Sequence, residues 1–233
     1  MADAKVVSRE EWLLARKALL AKEKAFSRER DALARARREL PRVRIDKDYM
    51  FDAPEGKRPL ARLFGEKRQL IVYHFMLGPG WEAGCKSCSY LADHFEGALP
   101  HLAARDVSFV AVSRAPLAEI EKFRKRMGWR FPWVSSHGND FNYDFHVSFR
   151  KEDMGKQVEY NYALGEGRME ELPGASTFYK DAQGGVFHTY STYARGLDMM
   201  IGAYNWLDIA PRGRDEDELE FTMSWVRHHD KYE

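Results

Sequence analysis

Apolar residues return along this chain with two different periods, and the change falls near residue 42. In the N-terminal stretch an apolar side chain recurs every seventh position and charged residues fill most of the others: Trp12, Leu19, Phe26, Leu33 and Leu40. Ser8 and Glu11 precede this repeat with the spacing of a helix capping box, and Pro41 ends it. We predict a helical arm over residues 1–42 that packs on its own core or on a second subunit.

Beyond the arm, short apolar runs alternate with segments of helical spacing. The pattern predicts three strands and two helices, in the order strand 69–76, helix 85–102, strand 107–114, helix 116–128 and strand 130–136. Pro100 is expected to kink the first of these helices or to open a second one. Such an alternation implies parallel strands joined by right-handed crossovers.

The second half of the chain departs from this alternation. Residues 150–171 are charged and irregular, which indicates an insertion. Two strands around the turn sequence DAQGG predict an antiparallel hairpin, because aspartate and glycine accept the backbone angles of tight turns. An apolar helix is predicted over 196–210. We therefore divide the chain into the arm, a core domain over 43–210 and a polar tail over 211–233.

Composition narrows the classes of function. The chain has 233 residues, of which 44% are hydrophobic and 31% charged, and its net charge is +1. This balance favours a globular protein with a substantial core, and we expect no nucleic-acid or membrane partner, since either usually needs a strong basic excess. The N-terminus lacks the apolar run of a secretory signal, and no window approaches the ~18 apolar residues that span a bilayer. We predict a cytoplasmic protein.

Both cysteines lie in the stretch GWEAGCKSCSYLADHF, between the first predicted strand and its helix. In a reducing compartment, a C-x-x-C pair serves redox catalysis or metal binding more often than a structural disulfide. The first turn of a helix favours an anion, so Cys85 is the candidate thiolate nucleophile, with Lys86 adding positive charge. Cys88, one turn further on, is the candidate resolving thiol.

Two other interpretations of the cysteine pair stay open. A zinc site needs four ligands, and His94 lies about 240° around the helix from Cys88, so we expect no metal. The pair can also be two buried thiols that only pack. Trp81, Lys86 and Ser87 are the candidate substrate-binding residues, although an aromatic at position 81 also suits a packing role.

Long stretches of the sequence resemble one bacterial family. The segments YHFMLGPGWEAGCKSCSYLADHFEGALPHLAARDVSFVAVSRAPL and GWRFPWVSSHGNDFNYDF, and the tail RGRDEDELEFTMSWVRHHDKY, resemble predicted dithiol-disulfide oxidoreductases long labelled only as a domain of unknown function. The resemblance implies a thioredoxin-like α/β fold, a central mixed sheet flanked by helices, together with the long N-terminal arm. It further implies a thiol-disulfide oxidoreductase, with Cys85 as nucleophile and Cys88 as resolving thiol, that acts on a thiol or disulfide of a protein or small molecule without a cofactor.

The sequence departs from related redox proteins at particular positions. Thioredoxin-like proteins usually carry a cis-proline where this chain has Ala175, and Pro173 lies two residues too early. A peroxiredoxin-like thiol peroxidase is one alternative, but Glu82 stands where that class has threonine or serine, and its peroxide-polarising arginine has only Arg114 and Arg195 as candidates. A redox-inactive interaction module is the other alternative. The basic arm and the acidic run DEDELE suggest a homodimer assembled through the arm.

Overall fold

The computed structural model describes residues 5–233 and separates the chain into two units, Met1–Pro41 and Arg42–Glu233. Helix α1, Arg9–Glu39, makes up most of the first unit, as the heptad pattern predicts. Its capping box is present: the backbone N–H of Glu11 donates to Ser8 Oγ at 3.2 Å, and the Glu11 carboxylate accepts from the backbone N–H of Ser8 at 3.0 Å. Across residues 5–233, no helix is both long and apolar enough to cross a bilayer.

The second unit contains ten strands and six α-helices among its described residues. The strands are β1 Val43–Arg44, β2 Met50–Ala53, β3 Gly56–Pro59, β4 Gln69–His74, β5 Val107–Ser113, β6 Trp133–Ser135, β7 Gln157–Tyr160, β8 Ala163–Glu166, β9 Gly174–Lys180 and β10 Val186–Tyr193. The helices are α2 Leu60–Leu63, α3 Lys86–Ala92, α4 Phe95–Ala104, α5 Leu117–Arg126, α6 Phe141–Asp144 and α7 Gly202–Leu207. Short 3-10 turns cover Lys151–Asp153, Ala194–Met200 and His229–Lys231.

Eight strands form one mixed sheet in the order β1-β10-β9-β4-β5-β6-β2-β3. Strands β4, β5 and β6 are parallel, as the strand-helix alternation predicts, and β9 and β10 form the predicted antiparallel hairpin. The hairpin pairs with β4 through β9, so β4 lies between a parallel and an antiparallel neighbour. With a helix following each of β4 and β5, this is a thioredoxin-like fold.

The sheet separates two apolar layers because successive side chains of a strand point to opposite faces. In β4, Leu70 and Val72 face a layer that includes α2 and α6. Tyr73, and Phe75 just beyond the strand, face the other layer, which includes α3, α4 and α5. Both cysteines belong to this second layer, so the candidate site lies between the sheet and its longer helices.

The predicted helix over 85–102 is divided at a different place from the one expected. It breaks between α3 and α4 at Asp93 and His94, whereas Pro100 lies inside α4, where it removes one intrahelical hydrogen bond. The break has tertiary causes: Trp129 Nε1 donates to the Asp93 carboxylate at 2.8 Å, and His94 Nε2 accepts from the backbone N–H of Ala203 at 3.1 Å. The expectation that Pro100 opens the second helix is therefore wrong, because that helix begins at Phe95.

Strands β1 to β3 and helix α2 were not predicted, and further differences concern the later segments. The predicted helix over 196–210 is instead a 3-10 turn followed by α7, because Ile201 between them has an extended backbone (φ −88°, ψ 97°). The insertion over 150–171 contains the hairpin β7–β8 and ends at Glu171, which is only 1% exposed. In the polar segment 211–233, Val226 and His228 are buried. Segments with polar sequences therefore supply part of the packed structure around the site.

Candidate active site

The two cysteines occupy unlike environments at the start of α3. Cys85 is the N-cap residue of α3 and is partly exposed, and its backbone N–H donates to the Met76 carbonyl at 3.0 Å. Its own carbonyl accepts hydrogen bonds from the backbone N–H and the hydroxyl of Ser89, both at 2.9 Å. Cys88 is 1% exposed and lies in the apolar layer below. Solvent therefore reaches Cys85 but not Cys88.

The surroundings of Cys85 favour its thiolate. A hydrogen bond from the Cys88 thiol is the largest influence, and it helps lower the pKa of Cys85 to about 6. Partial burial opposes this shift, while the backbone N–H groups of Cys88 and Ser87 and the Ser87 hydroxyl support it. These amides belong to the first helical turn, where backbone donors have no carbonyl partner within the helix.

The surroundings of Cys88 favour its protonated thiol. Burial raises the pKa of Cys88 well above its ordinary value. The hydrogen bond with Cys85 and the negative charge of the Cys85 thiolate raise this pKa further. The side chain of Tyr73 and the backbone N–H of Met76 oppose this shift by hydrogen bonding to the Cys88 sulfur. The pair is thus asymmetric, with an accessible sulfur that ionises readily and a buried sulfur that keeps its proton.

Gly84, which precedes Cys85, lies in a space that admits no side chain. A Cβ atom built at this position would meet Phe75 Cε1 at 2.5 Å and Phe123 Cε1 at 2.7 Å. Both rings are buried in the apolar layer that contains the cysteines, so neither can move away without disturbing the core. A glycine here allows the loop to approach the two rings closely enough to place Cys85 at the start of α3.

A Gly84→Ala substitution is therefore expected to destabilise the protein by about 1–3 kcal/mol, the usual cost of overpacking a core. Gly97 provides a matched control, because a Cβ built at this exposed position of α4 meets nothing within 4 Å. Gly97→Ala is expected to stabilise the protein by up to about 1 kcal/mol through helix propensity. Denaturant unfolding measures both changes; equal effects in the two variants would show that Gly84 has no special packing role.

The C-terminal segment reaches this loop through two adjacent histidines. His228 Nε2 donates to the Gly84 carbonyl at 2.8 Å, and His229 Nδ1 lies 2.6 Å from the Asp93 carboxylate at the end of α3. The two rings thus contact different groups. Within the described residues, no set of three or more histidine, cysteine or acidic side chains is arranged to hold a metal ion. Sequence reasoning missed this contribution to the site because residues 211–233 have the composition of a polar tail.

The three candidate substrate-binding residues have different surroundings, and only Ser87 contacts Cys85. Ser87 contacts Cys85 directly, through the hydrogen bonds described above. Lys86 is exposed at the first position of α3. Trp81 is partly buried against the cysteine layer, and its indole covers Gly78, whose Cβ would lie 3.0 Å from Trp81 Nε1. Trp81 therefore packs the loop that precedes Cys85 and keeps part of its surface exposed.

Ala175, at the position where cis-proline was expected, is buried in the same layer as the cysteines and is paired with Tyr73 across β9 and β4. The neighbouring backbone has intramolecular partners. Tyr160, from the insertion hairpin, donates its hydroxyl hydrogen to the Pro173 carbonyl at 2.7 Å and accepts from the backbone N–H of Ala194 at 3.0 Å. The insertion thus covers a backbone segment next to the candidate site.

The two arginines that are candidates for peroxide chemistry are both engaged in ion pairs. Arg114 Nε donates to buried Glu171 at 2.6 Å, and Arg195, whose side chain is 82% exposed, pairs with Asp198 at 3.1 Å. Burial raises the pKa of the Glu171 carboxyl, and hydrogen bonds from Ser148 and Arg114 oppose that shift. Arg114 is therefore committed to a structural pair at the end of the insertion.

Three solved structures illustrate the backbones to which this chain is similar. The peroxidoxin BcpB of Mycobacterium tuberculosis gives a TM-score of 0.46 at 16% identity, covering 70% of this chain and 94% of its own. A peroxiredoxin Q of Xanthomonas campestris gives 0.40 at 16%, with coverages of 66% and 87%. A Bacteroides thetaiotaomicron protein, provisionally described as a protein disulfide isomerase, gives 0.40 at 15%, with coverages of 71% and 91%.

Comparison of the sequence with protein families gives a match over nearly the whole chain. No curated protein sequence matches the chain. One family model matches residues 1–232, and it confirms the bacterial family that the sequence resembles. Because that match covers the arm, the core and the C-terminal segment alike, the chain belongs to the family described as "Bacterial protein of unknown function (DUF899)".

Proposed function

We propose that this protein is a thiol-disulfide oxidoreductase in which Cys85 is the nucleophile and Cys88 the resolving thiol. One observation carries the proposal: the C-x-x-C pair lies at the start of α3 with one sulfur partly exposed and the other buried, surroundings that lower the pKa of Cys85 and raise that of Cys88. A thiolate is the attacking species in thiol-disulfide exchange, and the optimum attacking thiol has a pKa near ambient pH. Cys85 meets both conditions.

The reaction proceeds through one mixed disulfide. The Cys85 thiolate attacks one sulfur of a substrate disulfide, a Cys85–substrate bond forms, and the other half of the substrate leaves as a thiolate. Cys88 then gives up its proton, which is accepted by solvent or by the departing thiolate, and attacks the Cys85 sulfur. The second half of the substrate leaves, so that the dithiol is oxidised to a disulfide while the substrate is reduced by two electrons.

The contacts of Cys88 suit this second step. Once the mixed disulfide has formed, Cys85 carries no negative charge, and the repulsion that helps keep Cys88 protonated is removed. The Tyr73 side chain and the Met76 backbone N–H then stabilise the developing Cys88 thiolate. Cys88 therefore becomes a better nucleophile only after the mixed disulfide between Cys85 and the substrate has formed.

The environment of Arg114 favours a disulfide over a peroxide as the substrate. A peroxidase needs a cationic group aimed at the bound peroxide, whereas the Arg114 guanidinium donates to Glu171 at 2.6 Å and to Glu170 at 3.4 Å. We propose that the substrate, a thiol or a disulfide, contacts Trp81, Lys86 and Ser87 beside Cys85.

Alkylation of the reduced protein by iodoacetamide over a pH series tests this proposal. The rate at Cys85, followed by mass spectrometry of its peptide, is expected to be half-maximal near pH 6, and Cys88 is expected to remain unmodified. Cys88→Ala removes the hydrogen bond that most lowers the Cys85 pKa, so the half-maximal pH should rise toward the free-thiol value of ~8.5. A wild-type Cys85 that already titrates near ~8.5 would contradict the proposed nucleophile.

A further inference from the structure

The peptide group that joins Gly84 to Cys85 is held at both of its polar atoms. Its N–H donates to the Met76 carbonyl at 3.0 Å, on the side of the sheet, and its C=O accepts from His228 Nε2 at 2.8 Å, on the side of the C-terminal segment. A peptide unit is planar, so fixing both ends fixes the orientation of the whole unit. The Cα of Cys85 is attached directly to that plane.

His228 is itself held by its surroundings on several sides. Arg126 Nη2 donates to His228 Nδ1 at 3.3 Å, and the same guanidinium forms two hydrogen bonds of 2.9 Å with the Asp230 carboxylate. The ring also packs edge-on against Phe123, with centroids 5.4 Å apart. Since an arginine can only donate and a carbonyl can only accept, the tautomer with the proton on Nε2 satisfies both partners of His228.

The charged groups around this ring are paired with one another. Arg126 on α5 and Asp230 beyond the ring form an ion pair, and His229 next in the chain is bound to Asp93 of α3. Phe123, which packs against the ring, adds no further charge beside it. His228 is only 8% exposed, so water competes little for the hydrogen bond that it makes with Gly84.

We infer that His228 is a positioning residue for the nucleophilic cysteine, acting through the Gly84 carbonyl. By fixing the peptide plane before Cys85, it restricts the directions open to the Cys85 side chain and favours the one toward the N–H groups of Ser87 and Cys88, which stabilise the thiolate. Its role in reactivity rests on the proposed function. The hydrogen bond by which His228 holds the Gly84–Cys85 peptide can be tested separately, without any assumption about reactivity.

The test compares His228→Leu, His228→Gln and wild type, with His229→Leu as a matched control from the adjacent position. Leucine fills the space without a donor, whereas the glutamine amide nitrogen reaches the position of Nε2 and can donate to Gly84. Two quantities are measured on the full reduced chain: amide hydrogen exchange at Cys85, and the pH profile of alkylation at Cys85. Global unfolding in denaturant is measured alongside, so that general destabilisation is recognised.

His228→Leu is expected to accelerate exchange of the Cys85 amide about three- to tenfold, the equivalent of losing one neutral hydrogen bond. It is also expected to raise the half-maximal pH of alkylation by about half a unit to one unit. His228→Gln should recover most of both effects, and His229→Leu should leave both at wild-type values. A structural role alone would accelerate exchange throughout the layer and leave the glutamine variant no better than the leucine one.

The outcomes separate this inference from the proposed function. If wild-type Cys85 titrates as an ordinary thiol, the oxidoreductase proposal fails, and the exchange rate of the Cys85 amide still decides whether His228 holds the peptide. If wild-type Cys85 titrates near pH 6 and His228→Leu changes neither measurement, the oxidoreductase proposal survives and the positioning role is overturned. An equal change in His229→Leu would likewise overturn it, because the effect would then belong to the segment and not to His228.

Discussion

Replacing Cys88 with serine is expected to stop the reaction at the mixed disulfide. Serine keeps the size of the side chain but cannot attack the Cys85 sulfur, so the covalent intermediate has no intramolecular route to product. With an aromatic disulfide reagent, wild type should release both halves of the reagent and retain neither. The Cys88→Ser variant should release one half and retain the other on Cys85, and its turnover should fall by about 100-fold or more.

Cys85→Ser is the matched control, because it removes the attacking sulfur and leaves the resolving thiol in place. This variant is expected to release nothing and retain nothing, since Cys88 is buried and keeps its proton. Intact-mass measurement with and without added reductant distinguishes the states, because a mixed disulfide is lost on reduction. Retention of the reagent on Cys88 in the Cys85→Ser variant would contradict the assignment of the two roles.

Glu171→Ala is expected to lower the free energy of unfolding by about 3–5 kcal/mol, the usual cost of removing one partner of a buried ion pair. The carboxylate is 1% exposed, accepts from Arg114 at 2.6 Å and accepts from the Ser148 hydroxyl at 2.6 Å. Removing it leaves the Arg114 guanidinium, whose side chain is 16% exposed, with the longer contact to Glu170 and the Tyr143 ring, whose centroid is 5.7 Å away. Denaturant unfolding measures the change in the free energy of unfolding.

Glu170→Ala is the matched control for this measurement. Glu170 is the adjacent residue, carries the same group and contacts the same arginine at 3.4 Å, but its side chain is 34% exposed. Its loss is expected to cost about 1 kcal/mol or less. Adding Arg114→Ala to Glu171→Ala removes the uncompensated charge, so the double variant should be less destabilised than the sum of the single ones. Similar values for Glu170→Ala and Glu171→Ala would show that burial does not distinguish them.

The sequence predicted the features that depend on local pattern. Strand β4 is predicted from its apolar sequence, since both faces of a central strand are buried. The order of strand, loop and helix then predicts that Cys85 lies at the start of α3. The hairpin β9–β10 was predicted from its turn residues, and α1 from its capping box and heptad repeat. In each case the signal lies within a few neighbouring residues.

The features that the sequence could not reveal depend on contacts between distant segments. His228 meets Gly84 across 144 positions of chain, and the break between α3 and α4 depends on Trp129 and Ala203. Glu171 lies at the end of a charged segment and carries no pattern that distinguishes it from its neighbour Glu170. A buried polar side chain is tolerated because of the partner it finds, and that partner is set by the tertiary fold.

The difference in exposure between the two sulfurs has a consequence for oxidative damage. Strong oxidants convert thiolates much more readily than thiols to sulfinic and sulfonic acids, and they do so only where they can reach the sulfur. Cys88 is enclosed and its pKa is raised by burial, while Cys85 is accessible and its pKa is lowered by the hydrogen bonds it accepts. Irreversible overoxidation should therefore fall on Cys85, and a protein inactivated in this way would still carry an intact thiol at Cys88.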